Sequence, residues 1–188
     1  QQLGLSARVR FHLCDSREVS GPFDRIVSVG MFEHGGVQHY PEFFAKTNAL
    51  LSDDGVMLLH SIGHMSPPGT ASPWLRKYIF PGAYSPALSE VFTAVEQASL
   101  WVTDLEFLRL HYARTLQHWH RRFEANRARI AAMYDERFCR MWEFYLLSAE
   151  MMFSTGSQLV FQMQLARKRD AVPVVRDYIT DVQRRYRE

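Results

Sequence analysis

Apolar and polar positions alternate in two rhythms along the first third of the chain. Val9, Phe11 and Leu13 alternate with Arg10 and His12, which predicts a strand over Arg8–Leu13 closed by Cys14-Asp15. Gly21-Pro22 marks a turn, and Phe23 to Gly30 reads as a second, more buried strand. Tyr40 to Leu51 has helical spacing, with Phe43, Phe44, Ala45, Leu50 and Leu51 on or near one side. Asp53-Asp54-Gly55 stops that helix and turns the chain into Val56-Met57-Leu58-Leu59, a strand too apolar to be half exposed. Strand, helix and buried strand form a βαβ pattern, which predicts a parallel sheet covered on both faces.

The rhythm breaks between Gly63 and Ser89. This stretch holds Pro67, Pro68, Pro73, Pro81 and Pro86 together with Trp74, Tyr78, Phe80 and Tyr84. It reads as a long aromatic loop with a short helix, a usual place for a substrate lid. A helix over Leu88–Ser99 and a strand over Leu100–Leu108 follow. Two long helical patterns come next. In His111–Met133 the apolar positions are Tyr112, Leu116, Trp119, Phe123, Ile130 and Met133; in Asp135–Phe153 they are Phe138, Met141, Tyr145, Ala149 and Met152. Gly156 ends the second helix, Gln158–Leu165 forms a last strand, and a basic, mixed-charge tail closes the chain. The pattern is that of one α/β domain.

At 188 residues, 47% hydrophobic and 22% charged, the chain has enough apolar mass for a sizeable core. A net charge of +2 gives no bulk attraction for nucleic acid. Cys14 and Cys139 offer neither a disulfide framework nor a zinc pattern, so a reduced, cytosolic setting fits. No uncharged apolar run approaches the roughly 20 residues that span a bilayer, and the opening residues do not read as a signal peptide. The thirteen Phe and eight Met serve either an ordinary large core or the lining of a greasy pocket.

Parallel sheets bind ligands beyond the carboxyl ends of their strands. The groups leaving those ends are Asp15, then Gly30-Met31-Phe32-Glu33-His34, then His60-Ser61, and His111-Tyr112. Paired strands lie about 4.8 Å apart, so Glu33 and His60 approach each other if their strands pair. Blander readings stand beside this. A Glu ahead of a helix also serves as a cap or dipole partner, and a His after a buried strand also serves as a hydrogen-bonded core residue. His118 and His120 are two apart on a helix and face different ways, which argues against a metal pair. Cys139 reads as core. Arg121-Arg122 and Arg167-Lys168-Arg169 read as solvated faces or as contacts for anionic lipid.

Phe23 to His34 resembles the central block of the cyclopropane-fatty-acyl-phospholipid synthases and the related mycolic acid cyclopropane synthases, as does Gly55 to Ile62. The likeness continues through Lys77 to Gly82, through His111 to Leu116 with Trp119, and into Val160-Phe161-Gln162, in the same order and spacing. The resemblance implies a class I S-adenosylmethionine (SAM) methyltransferase fold with a Rossmann-like sheet, incomplete at its N-terminus, and with long C-terminal helices inserted before the last strand. It implies that the alkene of an unsaturated phospholipid acyl chain takes the SAM methyl group and closes a ring. A bound bicarbonate, held by Glu33, His60 and Tyr112, would accept the proton. Asp15 would contact the adenine, and Gly30 and Met31 the methionine moiety. The aromatic loop and the long helices would form the acyl tunnel. Implied surroundings are the cytoplasm and the inner face of the membrane, with a homodimer as a further expectation and no nucleic acid.

Two departures accompany the resemblance. Many members carry a Cys on the second long helix, four residues before a Phe, where this chain has Ala149 beside Ser148. Either backbone groups suffice for the ion there, or Ser148 substitutes, or the chemistry has drifted. The glycine-rich SAM loop of the fold is absent, which predicts that residues 1–188 are the C-terminal portion of a single catalytic domain and bind SAM poorly alone. Three functions remain: ring closure, a SAM-dependent lipid C-methyltransferase leaving a methyl branch, and a non-catalytic lipid- or partner-binding domain.

Overall fold

The computed structural model describes Gly4 and residues 7–187. Its strands are β1 (Phe23–Val29), β2 (Leu51–His64), β3 (Trp101–Leu108) and β4 (Gln158–Ala166). The helices are α1 (Tyr40–Leu50), α2 (Pro73–Tyr78), α3 (Leu88–Gln97), α4 (His111–Ala125), α5 (Arg127–Met133), α6 (Glu136–Ser154) and α7 (Asp177–Arg185). The sheet order is β1-β2-β4-β3. β1 and β2 are parallel, as the βαβ pattern predicts, but β4 runs antiparallel to both β2 and β3. The sheet is therefore mixed rather than parallel. Strand direction is set by how the chain returns through α4–α6, and a strand's own apolar run does not encode it.

Residue alternation divides the core into two layers. Met57, Leu59, Leu159, Phe161, Met163 and Leu165 meet α1 and α3 through Phe44, Val91 and Val95 on one face. Ile62, Val160 and Leu108 meet α4 and α6 through Leu116, Cys139 and Leu146 on the other. Cys139 is fully buried, as its apolar neighbours predict.

Several boundaries differ from the sequence pattern. Arg8–Leu13 is not a strand: no described strand runs beside it, so its backbone has no ladder, and Phe11 and Leu13 stand in solvent. β2 begins directly after α1, with Ser52–Gly55 standing out of the ladder between the pairs Phe23↔Leu51 and Arg25↔Val56. It also continues five residues past Leu59. The first long helix breaks at Asn126, whose side chain donates to the Arg122 carbonyl while the chain bends into α5. The tail folds as α7 and is tied to the sheet by Tyr178, whose hydroxyl donates to Gln164 at 2.6 Å, and by an Arg176–Asp104 ion pair. Among the described residues no helix is long and apolar enough to cross a membrane.

Candidate active site

The carboxyl ends of β1, β2 and β3 share one rim. Ile62, Val160 and Leu108 stand in register across β2, β4 and β3, and β3 runs in the same direction as β2. Gly30 ends β1 with its N–H donating to the His60 carbonyl at 3.1 Å. Its φ of +65° is a left-handed conformation that favours glycine, and no atom lies within 4 Å of where a Cβ would stand. The chain then tightens into a 3₁₀ turn, Phe32–His34, pinned by Phe32 stacking on Tyr40 at 4.0 Å.

That turn carries Glu33 inward. Its Oε1 accepts the Ile62 backbone N–H at 2.6 Å, and its carbonyl accepts from the Tyr84 N–H at 3.0 Å. The sheet thus holds the carboxylate, and the aromatic loop holds the backbone of the same residue. Glu33 is 9% exposed, and its Oε2 is buried with no partner. A buried carboxylate oxygen left without a donor is costly, and natural sites supply one.

Tyr112 enters from the first turn of α4, held by ring contacts with Phe153 at 4.9 Å and Trp119 at 5.9 Å. Its phenol is raised above the ordinary value, first by burial and then by the Glu33 charge, so it stays a neutral donor. Both residues line one cavity of about 1060 Å³, with Gly30, Tyr145, Ala149 and Phe153. The aromatic loop closes one side through Trp74 and Phe80, and Phe80 packs against Tyr145 at 5.9 Å. The cavity has the size and mostly apolar lining of a small-molecule or acyl-chain site.

Of the six residues singled out in the sequence, Glu33, Tyr112 and Gly30 meet at this cavity. His60 does not line it. β2 continues to His64, so His60 sits inside the strand rather than beyond its end, and its Nδ1 pairs with Gln162 directly opposite at 3.0 Å. Met31 follows Gly30 but is 47% exposed outside the cavity lining. Asp15 caps an exposed 3₁₀ turn and binds the Arg17 side chain at 2.7 Å, which holds its carboxyl well below the usual range. Ala149 lies in the cavity wall. Beside it, Ser148 donates its hydroxyl to the Phe144 carbonyl at 2.6 Å, so that proton is engaged within the helix. Arg167 and Lys168 pair with Asp53 and Asp54, so they are engaged within the protein. The sequence reading missed the Ile62 N–H and the Tyr84 backbone as the two anchors of Glu33. The β-branched Ile62 following the polar His60-Ser61 pair was the signal that the strand runs on.

Residues 1–163 match the family described as mycolic acid cyclopropane synthetase. The chain is 36% identical over 171 residues to the tuberculostearic acid methyltransferase UfaA1 of Mycobacterium tuberculosis, covering 88% of this chain and 40% of that protein. It is 36% identical over 155 residues to the cyclopropane-fatty-acyl-phospholipid synthase of Escherichia coli, covering 82% of this chain and 40% of that protein. The chain thus spans about two fifths of the length of these relatives. The mycolic acid cyclopropane synthase CmaA1, solved in complex with SAH and CTAB, superposes with a TM-score of 0.72 at 32% identity, over 80% of this chain and 57% of that one. The fold is that of the SAM-dependent methyltransferases.

Proposed function

The chain belongs to the mycolic acid cyclopropane synthetase family, and we propose from that premise that the intact protein is a cyclopropane-fatty-acyl-phospholipid synthase. The observation that carries the reading is the buried, unpartnered Oε2 of Glu33 beside the neutral Tyr112 in an apolar cavity. SAM, when bound, supplies an electrophilic methyl group on a sulfonium. Gly30 fits its methionine half, because the open space beside the Cα lets a ligand approach the backbone. Asp15 and Met31 complete the proposed cofactor set.

The alkene electron pair forms a bond to the methyl carbon while the C–S pair stays on sulfur. A proton then leaves the added carbon, and its C–H pair closes the ring. The chain's own residues position the base for that proton. Glu33 needs a donor at Oε2 and Tyr112 offers an O–H, so the two fit a bicarbonate ion bearing one hydroxyl and acceptor oxygens. His60, on the same face of β2 as Ile62, is the third proposed holder of the ion and would have to turn its ring from Gln162 to reach it. The faces of Tyr112 and Phe153 also suit a developing positive charge. Residues 1–188 form the C-terminal portion of a single catalytic domain in this reading, supported by the 57% coverage of the CmaA1 chain.

A second reading, methyl transfer without ring closure, is favoured by Ala149 and by UfaA1, a relative of equal identity named as a methyltransferase. Transfer of a labelled SAM methyl group into phospholipid acyl chains by the intact protein tests the class. Glu33→Gln keeps an acceptor for the Ile62 N–H but removes the charge. It is expected to lower the rate at least about a hundredfold, with the melting temperature retained; an unchanged rate contradicts the assigned role.

A further inference from the structure

Helix α6 carries an apolar stripe that the fold leaves open. Phe144, Leu147 and Met151 recur at helical spacing and are 56%, 43% and 64% exposed, with Met152 beside them. An open depression of about 570 Å³ runs along the stripe. Phe144, Ser148, Met152 and Gly156 line both this depression and the large cavity. Stripe and cavity therefore share a wall, and the stripe forms the cavity's lip.

The charge around the stripe that has no partner among the described residues is positive. Arg140 continues it one turn toward the helix start, and Arg76 and Lys77 stand exposed on α2, whose Trp74 packs edge-on against Phe144 at 4.8 Å. Among the described residues no carboxylate pairs with these three cations. Glu143 and Glu150 flank Leu147 one turn to either side, but both are engaged within the protein: Glu143 accepts from Arg127 at 3.0 Å and Glu150 from Gln117 of α4 at 2.8 Å. An apolar face with a cationic fringe is the surface that binds an anionic membrane interface.

We infer that this face of α6 docks on an anionic lipid bilayer. Leu147 and Met151 enter among the acyl chains, Arg76, Lys77 and Arg140 meet the headgroups, and an acyl chain passes into the cavity along Phe144 and Met152. A second copy of the chain, or another protein segment, laid over the stripe would cover Phe144 and Met152 and shut the lip. A bilayer keeps it open, because its own chains continue through it. The inference rests on the proposed lipid substrate for its purpose, but its test is separate.

The test is flotation of the intact protein with vesicles of phosphatidylcholine alone, or with equal parts phosphatidylglycerol. Binding is expected on the anionic vesicles and weakly on the neutral ones. The double variant Leu147→Glu/Met151→Glu, which changes no residue of the large cavity, is expected to bind at least about tenfold more weakly with an unchanged circular dichroism melt. Arg76→Gln/Lys77→Gln is expected to lower anionic binding toward the neutral level. A wild type that does not float, or a double-Glu variant that floats equally well, overturns the inference. So does self-association that the double-Glu variant abolishes, since that places a second copy on the stripe. Methyl transfer by the intact protein to lipid dispersed in detergent tests the substrate reading without the bilayer, so either can fail alone.

Discussion

Glu33 is held by its Oε1 and its carbonyl and left free at Oε2, an arrangement that fixes a carboxylate without satisfying it. Glu33 and Tyr112 were legible in the sequence because both leave strand ends at one rim, and the rule that ligands gather there needs only strand boundaries. His60 stands inside its strand rather than at its end, because β2 runs five residues past the expected boundary. Its pairing with Gln162 depends on β4 lying antiparallel beside β2, which no local pattern encodes. Asp15 was read from a strand that does not form. Burial pushes Tyr145 and Tyr84 up to about 12 from an ordinary value of 10.0, with Glu90 adding to Tyr84 through its hydrogen bond. The folded state keeps these protons where the unfolded chain releases them. Stability is therefore fully present below pH 10 and falls as pH rises from about 10 to 12. Melting temperatures measured across that range should decline more steeply for the wild type than for Tyr145→Phe; parallel curves contradict the assignment.

Most elements were legible because their apolar spacing matches their period: β1, α1, α3, β3, α6 and β4 all appear within a few residues of the expected limits. The differences lie where a tertiary contact decides. β2 runs on through Gly63 because a side chain there would crowd β4: a Cβ would stand 3.0 Å from Phe161 Cε1 and 3.1 Å from the Pro86 carbonyl oxygen. Gly63→Ala is accordingly expected to destabilise the fold by about 1–3 kcal/mol, read from urea unfolding, and a neutral effect would show that Phe161 yields at no cost. The break at Asn126 likewise follows from what surrounds it. Arg127, immediately after it, donates to Glu124, Glu143 and Glu136, joining α4, α5 and the first turns of α6 through one guanidinium. That network uses carboxylates far apart in sequence, so the periodicity of α4 alone predicts a continuous helix.

At the scale of the whole molecule, the two layers of helices cover β4 and most of β2, while β1 is an edge strand with Val27 and Val29 66% and 63% exposed. Those two residues share the α4–α6 face of the sheet with Leu58 and His60, at the part those helices do not reach. Of the proposed cofactor residues, only Gly30 opens onto the cavity, and Asp15 is engaged with Arg17 in solvent. Calorimetry on residues 1–188 should therefore show no micromolar affinity for SAM, whereas micromolar binding would mean that this part of the domain suffices.

In the proposed function the intact protein adds the SAM methyl carbon to an acyl double bond and closes a ring. Mass spectrometry of lipids from a host rich in unsaturated phospholipid, expressing the intact protein, reads this directly when the extract is mildly hydrogenated. Acyl chains are expected to have gained one CH₂ and to resist hydrogenation, since a cyclopropane has no double bond left to reduce. A gained CH₂ that still takes up hydrogen, or no gain from a folded, SAM-binding protein, would contradict it.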